Sequence, residues 1–541
     1  MQKSLLLGVE AIAQGAIDGG MSGVYAYPGT PSTEITEYVQ NSSQAKALHI
    51  HSDWAANEKT AMESALGMSY VGKRAMVCMK HVGLNVAADC FMNAAITGAN
   101  GGMLVVVADD PSMHSSQNEQ DSRVYAKFAM IPILEPSNQQ EAYEMARFAF
   151  ELSEACETPV MMRITTRLAH SRAGVQRANE IIAQNRLRLP DDKLQFVLLP
   201  AIARKRYQKL LGKQEKLQAA SDESKFNSYT EGVNKSMGII ACGLGYNYLM
   251  ENYPQGDCPY SVLKISQYPI PRSMVEKITR ECDQILLLEE GYPVVEEMLK
   301  GYLGKESVSG RLDGMLSRDG ELTPDMVGKA LGFEIKENYE IPDIVVPRPP
   351  ALCVGCSHVD VYKALNEVIA DFGTGRVFSD IGCYTLGALP PYNAISSCVD
   401  MGASITMAKG ASDGGLIPSV AVIGDSTFTH SGMTGLLDAI NEKTPITVII
   451  SDNESISMTG GQKSSAKGRL EAICEGLGVE KEHLHVLLPV PKKHDEIKEI
   501  IRKELEYDGV SVIIPRRICV QKNVRDQKIR KANKAKLAAK A

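Results

Sequence analysis

Six short apolar runs, each ending in small or acidic residues, constrain the fold of this chain more than any other feature. They are MLVVVADD (Met103–Asp110), PVMMRIT (Pro159–Thr165), SMGIIACG (Ser236–Gly243), QILLLEEG (Gln284–Gly291), SVAVIGDS (Ser419–Ser426) and ITVIISDN (Ile446–Asn453). Runs that are apolar throughout, rather than on alternate residues, suit strands covered on both faces, as in a parallel sheet. Amphipathic stretches of helical length lie between them, such as NQQEAYEMARFAFELSEAC (Asn138–Cys156). The alternation predicts a multi-domain α/β fold with covered, mostly parallel sheets. Ligands in such folds gather at the carboxyl ends of the strands, so the residues after each run are where chemistry is expected.

At 541 residues the chain is long enough for several cores. A polar, basic segment from about Arg177 to Asn234 and the proline-rich IPDIVVPRPPALC (Ile341–Cys353) interrupt the patterning. The predicted division is 1–176, a linker and helical segment 177–235, a middle block 236–345, a block 346–520 and a tail 521–541. Twelve cysteines are too few for a disulfide scaffold, Glu10 interrupts any signal-peptide core, and no apolar run reaches the roughly eighteen residues of a membrane helix. A reducing cytoplasm is the expectation. The net charge of −7 disfavours a nucleic-acid or membrane-surface binder and leaves small molecules and proteins as partners. That average hides ten Lys or Arg against one Asp in 516–541, a local +9 that leaves −16 on the remainder. The tail reads as an extended or weakly helical appendage.

The strongest chemical signal is GDSTFTHSGMTGLLDAINEKTPITVIISDNES (Gly424–Ser455). Asp425 and Asn453 follow successive strands, so a carboxylate and an amide oxygen can converge on a hard cation, leaving positions for water and phosphate oxygens as Mg²⁺ prefers. The alternative is two ordinary strand-end turns. The Gly-Asp-Ser and Asp-Asn pairs, with this spacing, resemble the thiamine-diphosphate motif. The resemblance makes Asp425, Asn453 and the Ser455 carbonyl the Mg²⁺ ligands, with Ser426 standing where many members have glycine. It also assigns Gly382, Cys383, Gly402 and Gly424 to the cofactor site.

Thiamine diphosphate needs a carboxyl group against its aminopyrimidine ring, a task for a partly buried Glu. In NEKTAMESALG, Glu58 precedes Ala61, Ala65 and Gly67 at helical spacing and resembles the family's activating glutamate; Glu63 is the competitor, and a solvated helix carboxylate the plain alternative.

YPGTPSTEI (Tyr27–Ile35), MKHVGLNVAAD (Met79–Asp89), DDPSMHSSQNEQDSR (Asp109–Arg123), LCVGCSH (Leu352–His358), SDIGCYTLGALPP (Ser379–Pro391) and DNESISMTGGQ (Asp452–Gln462) together resemble the large subunits of indolepyruvate:ferredoxin oxidoreductases, up to about Cys519. The resemblance implies a thiamine-diphosphate-binding fold and oxidative decarboxylation of an aryl 2-oxoacid through a cofactor enamine, with coenzyme A taking the acyl group. It further implies a smaller beta subunit, an assembly of two large and two small chains, and ferredoxin as acceptor. Arg123 suits the substrate carboxylate, or a surface pairing with Asp121 or Glu119. Thr30 matches a substrate-contacting threonine, or caps a helix with Pro31 at its first position. His81 and His114 lie in matching strings, although a lone histidine is more often a packed or surface residue.

Cys353-Val-Gly-Cys356 is the chain's CxxC, which alone suits zinc, a dithiol or two buried thiols. In relatives with a cluster beside thiamine, the order of cysteines matches Cys353, Cys356, Cys383 and Cys519, enough for one [4Fe-4S] site, with Cys398 as the substitute fourth ligand. The family's usual two-cluster ferredoxin-like string does not occur in this sequence, and the basic tail runs in its place. That tail attracts an acidic ferredoxin, or is a solvated end. A non-oxidative thiamine decarboxylase or carboligase is the same-site alternative; a scaffold whose chemistry has lapsed is the other.

Overall fold

The structure, a computed structural model, describes residues 3–55, 57–114, 116, 118–253, 255–301, 334, 340–346, 350–457, 462–464 and 466–538. The chain divides into two compact units, Met1–Tyr292 with Leu352–Ala541, and Pro293–Ala351. In the second unit a helix spans Val294–Lys300. Residues 302–333 and 335–339 of the expected middle block lie outside the described residues.

All six apolar runs form strands of the first unit, in three sheets. The N-terminal sheet has seven strands in the order Gln267–Tyr268, Ile133–Leu134, Val160–Thr165, Met103–Asp109, Ala75–Lys80, Gly23–Ala26, His51–Trp54, and only its Gln267–Tyr268 edge is antiparallel. The C-terminal sheet, also of seven strands, runs Leu484–Leu487, Val510–Pro515, Ile446–Ser451, Ser419–Gly424, Val377–Ser379, Ser397–Cys398, Phe196–Val197, all parallel. A smaller sheet pairs Asn234–Cys242 with Tyr260–Ile265 and Ile285–Leu288, adding Ser228–Thr230 antiparallel. Every residue of Met103–Asp109, Val160–Thr165, Ser419–Gly424 and Ile446–Ser451 is buried, which is why these runs carry no alternation. The stretch Asn138–Cys156 becomes a helix, Gln139–Cys156, whose first turn is capped by Asn138 Oδ1 accepting from the Glu141 N–H at 3.0 Å.

Two expectations change. The segment 177–235, read as a linker and helical segment, holds helices at Pro200–Gly212 and Gln214–Asp222, and Phe196–Val197 also adds an edge strand to the C-terminal sheet; two residues are too short to show a period. The tail is a helix over Val520–Ala538, consistent with its content of Lys, Arg, Gln and Ala. Among the described residues no helix is long and apolar enough to cross a membrane.

Four helices matter for the site: α1 (Glu58–Tyr70), α2 (His81–Thr97), α3 (Ala403–Asp413) and α4 (Val520–Ala538). Helix α1 of the N-terminal block lies directly on α3 of the C-terminal block. A Cβ placed on Gly410 would stand 2.2 Å from the Ser64 carbonyl oxygen, and one on Gly67 2.5 Å from that of Met407. Only glycine permits this backbone-to-backbone approach.

Candidate active site

Most residues singled out in the C-terminal block sit where strands of one parallel sheet end, whereas Cys353 and Cys356 precede the helix Ser357–Ile369. Asp425 follows Ser419–Gly424, Asn453 follows Ile446–Ser451, Gly382 and Cys383 follow Val377–Ser379, Gly402 follows Ser397–Cys398, and Cys519 follows Val510–Pro515. Parallel pairing puts these ends on one edge.

Asp425 is 1% exposed, and its Oδ2 has no hydrogen-bond partner. Burial pushes its carboxyl up to about 6, and the nearby Asp452 carboxylate acts in the same direction against a hydrogen bond from Ser464. A buried carboxylate oxygen left without a partner is the kind of group a bound cation satisfies. Asn453 is buried just past the end of the paired neighbouring strand, where Ser451 stands opposite Gly424; its Oδ1 accepts from the Ser455 N–H at 3.1 Å, and the Ser455 hydroxyl lies 2.7 Å from that of Ser457. Asp452 is committed elsewhere, accepting from Arg516 Nε at 2.6 Å. The donor set of Asp425, Asn453 and the Ser455 carbonyl therefore fits Mg²⁺.

The glycines make room. The Tyr384 ring lies across Gly382 and Gly424, where added Cβ atoms would stand 2.2 and 2.5 Å from its Cε1. Gly402 has φ +95°, and a Cβ there would meet Ser431 Cβ at 2.5 Å. Ser426 is half-buried. The Tyr384 hydroxyl donates to Asp380, which also accepts from Ser404 Oγ at 2.6 Å. Asp380 is fully buried, and that burial pushes its carboxyl up to about 7. Sequence reading missed Asp380 and Tyr384, although Asp380 carries the same signal as Asp425, an acid directly after an apolar strand.

In the N-terminal block, Thr30, Glu58, His81 and His114 follow the strands Gly23–Ala26, His51–Trp54, Ala75–Lys80 and Met103–Asp109, again at one carboxyl edge. Glu58 opens α1, whose N-cap Asn57 accepts from the Thr60 N–H at 2.7 Å. Its half-buried carboxylate rests on α2, where a Cβ on Gly83 would be 2.6 Å from Glu58 Oε1. The competitor Glu63 is locked in the α1–α3 contact: it pairs with Lys59 and accepts from Thr406 Oγ1 at 2.5 Å. Lys59 also reaches Asp400 at 3.1 Å and the Met401 carbonyl at 2.9 Å, which sets the first turn of α1 against the turn carrying Gly402.

His81 is buried, with Nε2 3.1 Å from the Asn118 carbonyl and Nδ1 without a partner, whereas His114 is exposed. Thr30 is exposed in a turn. The helix after it begins at Thr33, so Pro31 is not its first residue and Thr30 does not cap it; Thr33 Oγ1 instead accepts from the Gly29 N–H at 2.9 Å.

Arg123 pairs with Asp121, one of its two expected partners, but in the interior and not at the surface. It is 1% exposed and holds Asp121 through Nε at 2.9 Å and Nη2 at 2.6 Å, Glu289 through Nη1 at 2.9 Å, and the Tyr292 carbonyl at 2.9 Å. Arg163 lies in the same network, bound to Asp109 at 2.8 Å and Glu135 at 2.6 Å. Glu289 follows a strand of the smaller sheet, so the network ties that sheet to the N-terminal one. The guanidinium is engaged by protein acceptors, and a substrate carboxylate would have to displace them.

Cys353, Cys356 and Cys519 lie near enough to Cys383 to act on its thiol electrostatically. Burial and the neighbouring Cys356, Cys519 and Cys353 push Cys383 up to about 11, and burial with Cys353 and Cys519 raises Cys356. Two contacts tie this cluster to the Asp452-Asn453 turn. The Cys519 N–H donates to the Asn453 carbonyl at 3.2 Å and the Arg517 N–H to the Asp452 carbonyl at 3.0 Å, while the Arg517 side chain donates to the Gly355 carbonyl and to Asp360 Oδ2 at 2.9 Å. Cys398 is instead sealed in the core beneath the sheet edge, its Sγ 3.5 Å from the Asp380 carbonyl. Four such thiols fit an iron–sulfur cluster as a donor set.

Known proteins share this organisation. Residues 14–208 match the family described as pyruvate flavodoxin/ferredoxin oxidoreductase, thiamine diP-bdg, and residues 380–514 match thiamine pyrophosphate enzyme, C-terminal TPP binding domain. The chain is 37% identical to the indolepyruvate oxidoreductase subunit IorA of Pyrococcus abyssi and 38% identical to that of Archaeoglobus fulgidus, in each case over 96% of this chain and 86% of the relative. The 2-oxoglutarate synthase subunit KorA of Archaeoglobus fulgidus is 24% identical over 57% of this chain and 91% of its own. A solved 2-oxoglutarate:ferredoxin oxidoreductase from Magnetococcus marinus superposes with a TM-score of 0.46 at 18% identity, covering 56% of this chain and 60% of that one. The family and relative matches define a subunit of a thiamine-diphosphate-dependent 2-oxoacid oxidoreductase. Within that class, the chain belongs to the indolepyruvate oxidoreductase IorA family.

Proposed function

We propose that this chain is the catalytic large subunit of an enzyme that oxidatively decarboxylates aryl pyruvates, indolepyruvate among them, to aryl-acetyl-CoA, passing the electrons to ferredoxin. The observation that carries the reading is the buried, unpartnered Asp425 Oδ2 beside Asn453, on the sheet edge where Cys383 lies with three thiols near it. When bound, thiamine diphosphate supplies the nucleophilic carbon and the electron sink for 2-oxoacid decarboxylation.

Asp425, Asn453 and the Ser455 carbonyl would hold Mg²⁺ and through it the diphosphate; Gly382, Cys383, Gly402, Gly424 and Ser426 border the cofactor, the glycines admitting the Tyr384 ring and Ser431 beside it. Glu58, set by its cap and by Gly83, moves a proton at the aminopyrimidine. Thr30 and His81 border the substrate, with His114 at the rim. Cys353, Cys356, Cys383 and Cys519 hold one [4Fe-4S] cluster, which favours oxidative over non-oxidative chemistry, since a simple decarboxylase needs no electron relay. The names of the relatives, each a subunit, support a partner chain; the family resemblance implies that it is a smaller beta subunit, in a cytoplasmic assembly of two large and two small chains. Coenzyme A takes the acyl group.

The test is anaerobic dye reduction by the chain with its small subunit, given indolepyruvate or phenylpyruvate, coenzyme A, thiamine diphosphate and Mg²⁺. Coenzyme-A-dependent reduction, lost in Asp425→Asn, is expected. No such reduction with any aryl pyruvate would overturn the assignment.

A further inference from the structure

We propose that the first turns of α4 and the Cys353–Cys356 loop form the docking face for a small acidic one-electron carrier protein, and that electrons leave the chain there. The inference rests on the reading of the four thiols as a cluster site, and it adds the surface through which that cluster is emptied.

Three observations converge on this face. First, α4 begins between two surface grooves, and each ends on a thiol of the set. A groove of about 420 Å³ runs from Pro491 and Asn523 to Cys356. Another, of about 600 Å³, runs beneath Val524 and Lys528 to Cys519. Cys353 itself is exposed. A carrier seated here meets the cluster with little protein between them, and electron transfer slows steeply with distance.

Second, the face carries apolar side chains left exposed among the described residues. Val354, at the tip of the CxxC loop, is fully exposed at 101%, and Ile518, Val524 and Ile529 are 45%, 51% and 49% exposed. Such residues around a functional centre mark a protein contact.

Third, the charge selects the occupant. From Arg516 to the end of the sequence there are ten Lys or Arg and one Asp, on a chain of net charge −7. Lys528, which lines the second groove, is exposed, and so is Lys492, next in sequence to Pro491 of the first. Asp360, the acid lining the first groove, is neutralised by Arg517 at 2.9 Å. A positive collar on an otherwise acidic body attracts an acidic partner and orients it toward that collar.

The electrons balance as follows. Conversion of a 2-oxoacid and coenzyme A to acyl-CoA, carbon dioxide and one proton releases two electrons. The cluster passes them singly, so two oxidised carriers arrive and two reduced carriers leave, with no atom transferred at the docking face.

The test uses the assembled enzyme and a 2[4Fe-4S] ferredoxin of net negative charge, with reduction followed by stopped flow from low to high ionic strength. Lys492→Glu/Lys528→Glu is expected to lower the second-order rate about ten-fold at low salt and to flatten its salt dependence, as reversed rim charges act on the association rate. Val524→Gln is expected to slow the same reaction at every salt concentration. Both variants keep their iron content and their rate with a small dye. Unchanged ferredoxin rates in variants with normal iron and dye activity would overturn the docking face and leave the cluster reading intact. Loss of the small subunit from the charge-reversed enzyme would also overturn it, because that subunit would then be the occupant. A wild-type enzyme without iron would overturn the cluster reading and this inference with it.

Discussion

Substituting Gly410 by alanine tests whether the α1–α3 contact fixes the position of Glu58. In an exposed helix this change is favourable, gaining about 1 kcal/mol from the lower backbone entropy cost. Here the new methyl would stand 2.2 Å from the Ser64 carbonyl oxygen and 2.9 Å from its carbon. Both are backbone atoms of α1, so no rotamer change relieves the clash, and the helices must part by about 0.8 Å to reach even a 3.0 Å contact. Overpacking of this kind costs about 1–3 kcal/mol. Because backbone must move, the upper part of that range applies, and the helix-propensity gain leaves a net loss of about 1–2 kcal/mol. At about 2–4 °C per kcal/mol for a domain of this size, the melting temperature falls by about 2–8 °C. The functional effect is larger than the loss of stability: α1 carries Glu58 at its start, and a displacement of about 1 Å costs on the order of 100-fold in a positioned catalytic group. Differential scanning fluorimetry and coenzyme-A-dependent dye reduction read the two effects. A raised melting temperature with unchanged activity would refute the reasoning, since it would mean the helices are not in contact at Gly410.

Three further outcomes follow from the same geometry. Arg123→Ala leaves Asp121 and Glu289 as buried carboxylates without their guanidinium partner and destabilises the chain by about 3–5 kcal/mol; a melting curve unchanged by the substitution would show that Arg123 is free to serve a substrate. Cys519→Ser loses the chain's iron, whereas Cys398→Ser, in the core, keeps it; iron and acid-labile sulfide assays of anaerobically purified variants distinguish the two. Asp380, pushed up to about 7 from an ordinary 3.8, binds its proton more tightly folded than unfolded. Its contribution to stability is therefore fully present below about pH 4 and is lost as pH rises through about 7, by up to about 4 kcal/mol. Asp380→Asn removes this term, so its melting temperature should vary less with pH between 5 and 8 than that of the wild type, and equal pH profiles would contradict the assignment.

The sheets were legible because burial on both faces writes a parallel strand as a continuous apolar run, and all six such runs became strands. Phe196–Val197 was not legible, since two residues hold no pattern, and the helical tail was masked by its charge. At the site, the strand-end positions of Asp425 and Asn453 could be read because each closely follows an apolar run. Arg123 misled because a buried arginine and a ligand-binding arginine look alike in sequence. Glu289 and the Tyr292 carbonyl, which engage it here, lie more than 160 residues away. The choice between Glu58 and Glu63 likewise required Thr406 on α3, a contact that no local pattern encodes. Asp380 was hidden by its neighbours: Gly382 and Cys383 drew attention in the same string, and only its burial shows that its carboxyl titrates near neutrality.

The central claim joins one cofactor site to one cluster site in a single chain. Electron paramagnetic resonance tests it directly, on the anaerobically assembled enzyme loaded with thiamine diphosphate and Mg²⁺ and mixed with indolepyruvate, with no external acceptor present. The account predicts the signal of a singly reduced [4Fe-4S] cluster in the wild type and none in Glu58→Gln. A wild-type enzyme that holds iron and thiamine diphosphate, consumes indolepyruvate and yet shows no reduced cluster would contradict it.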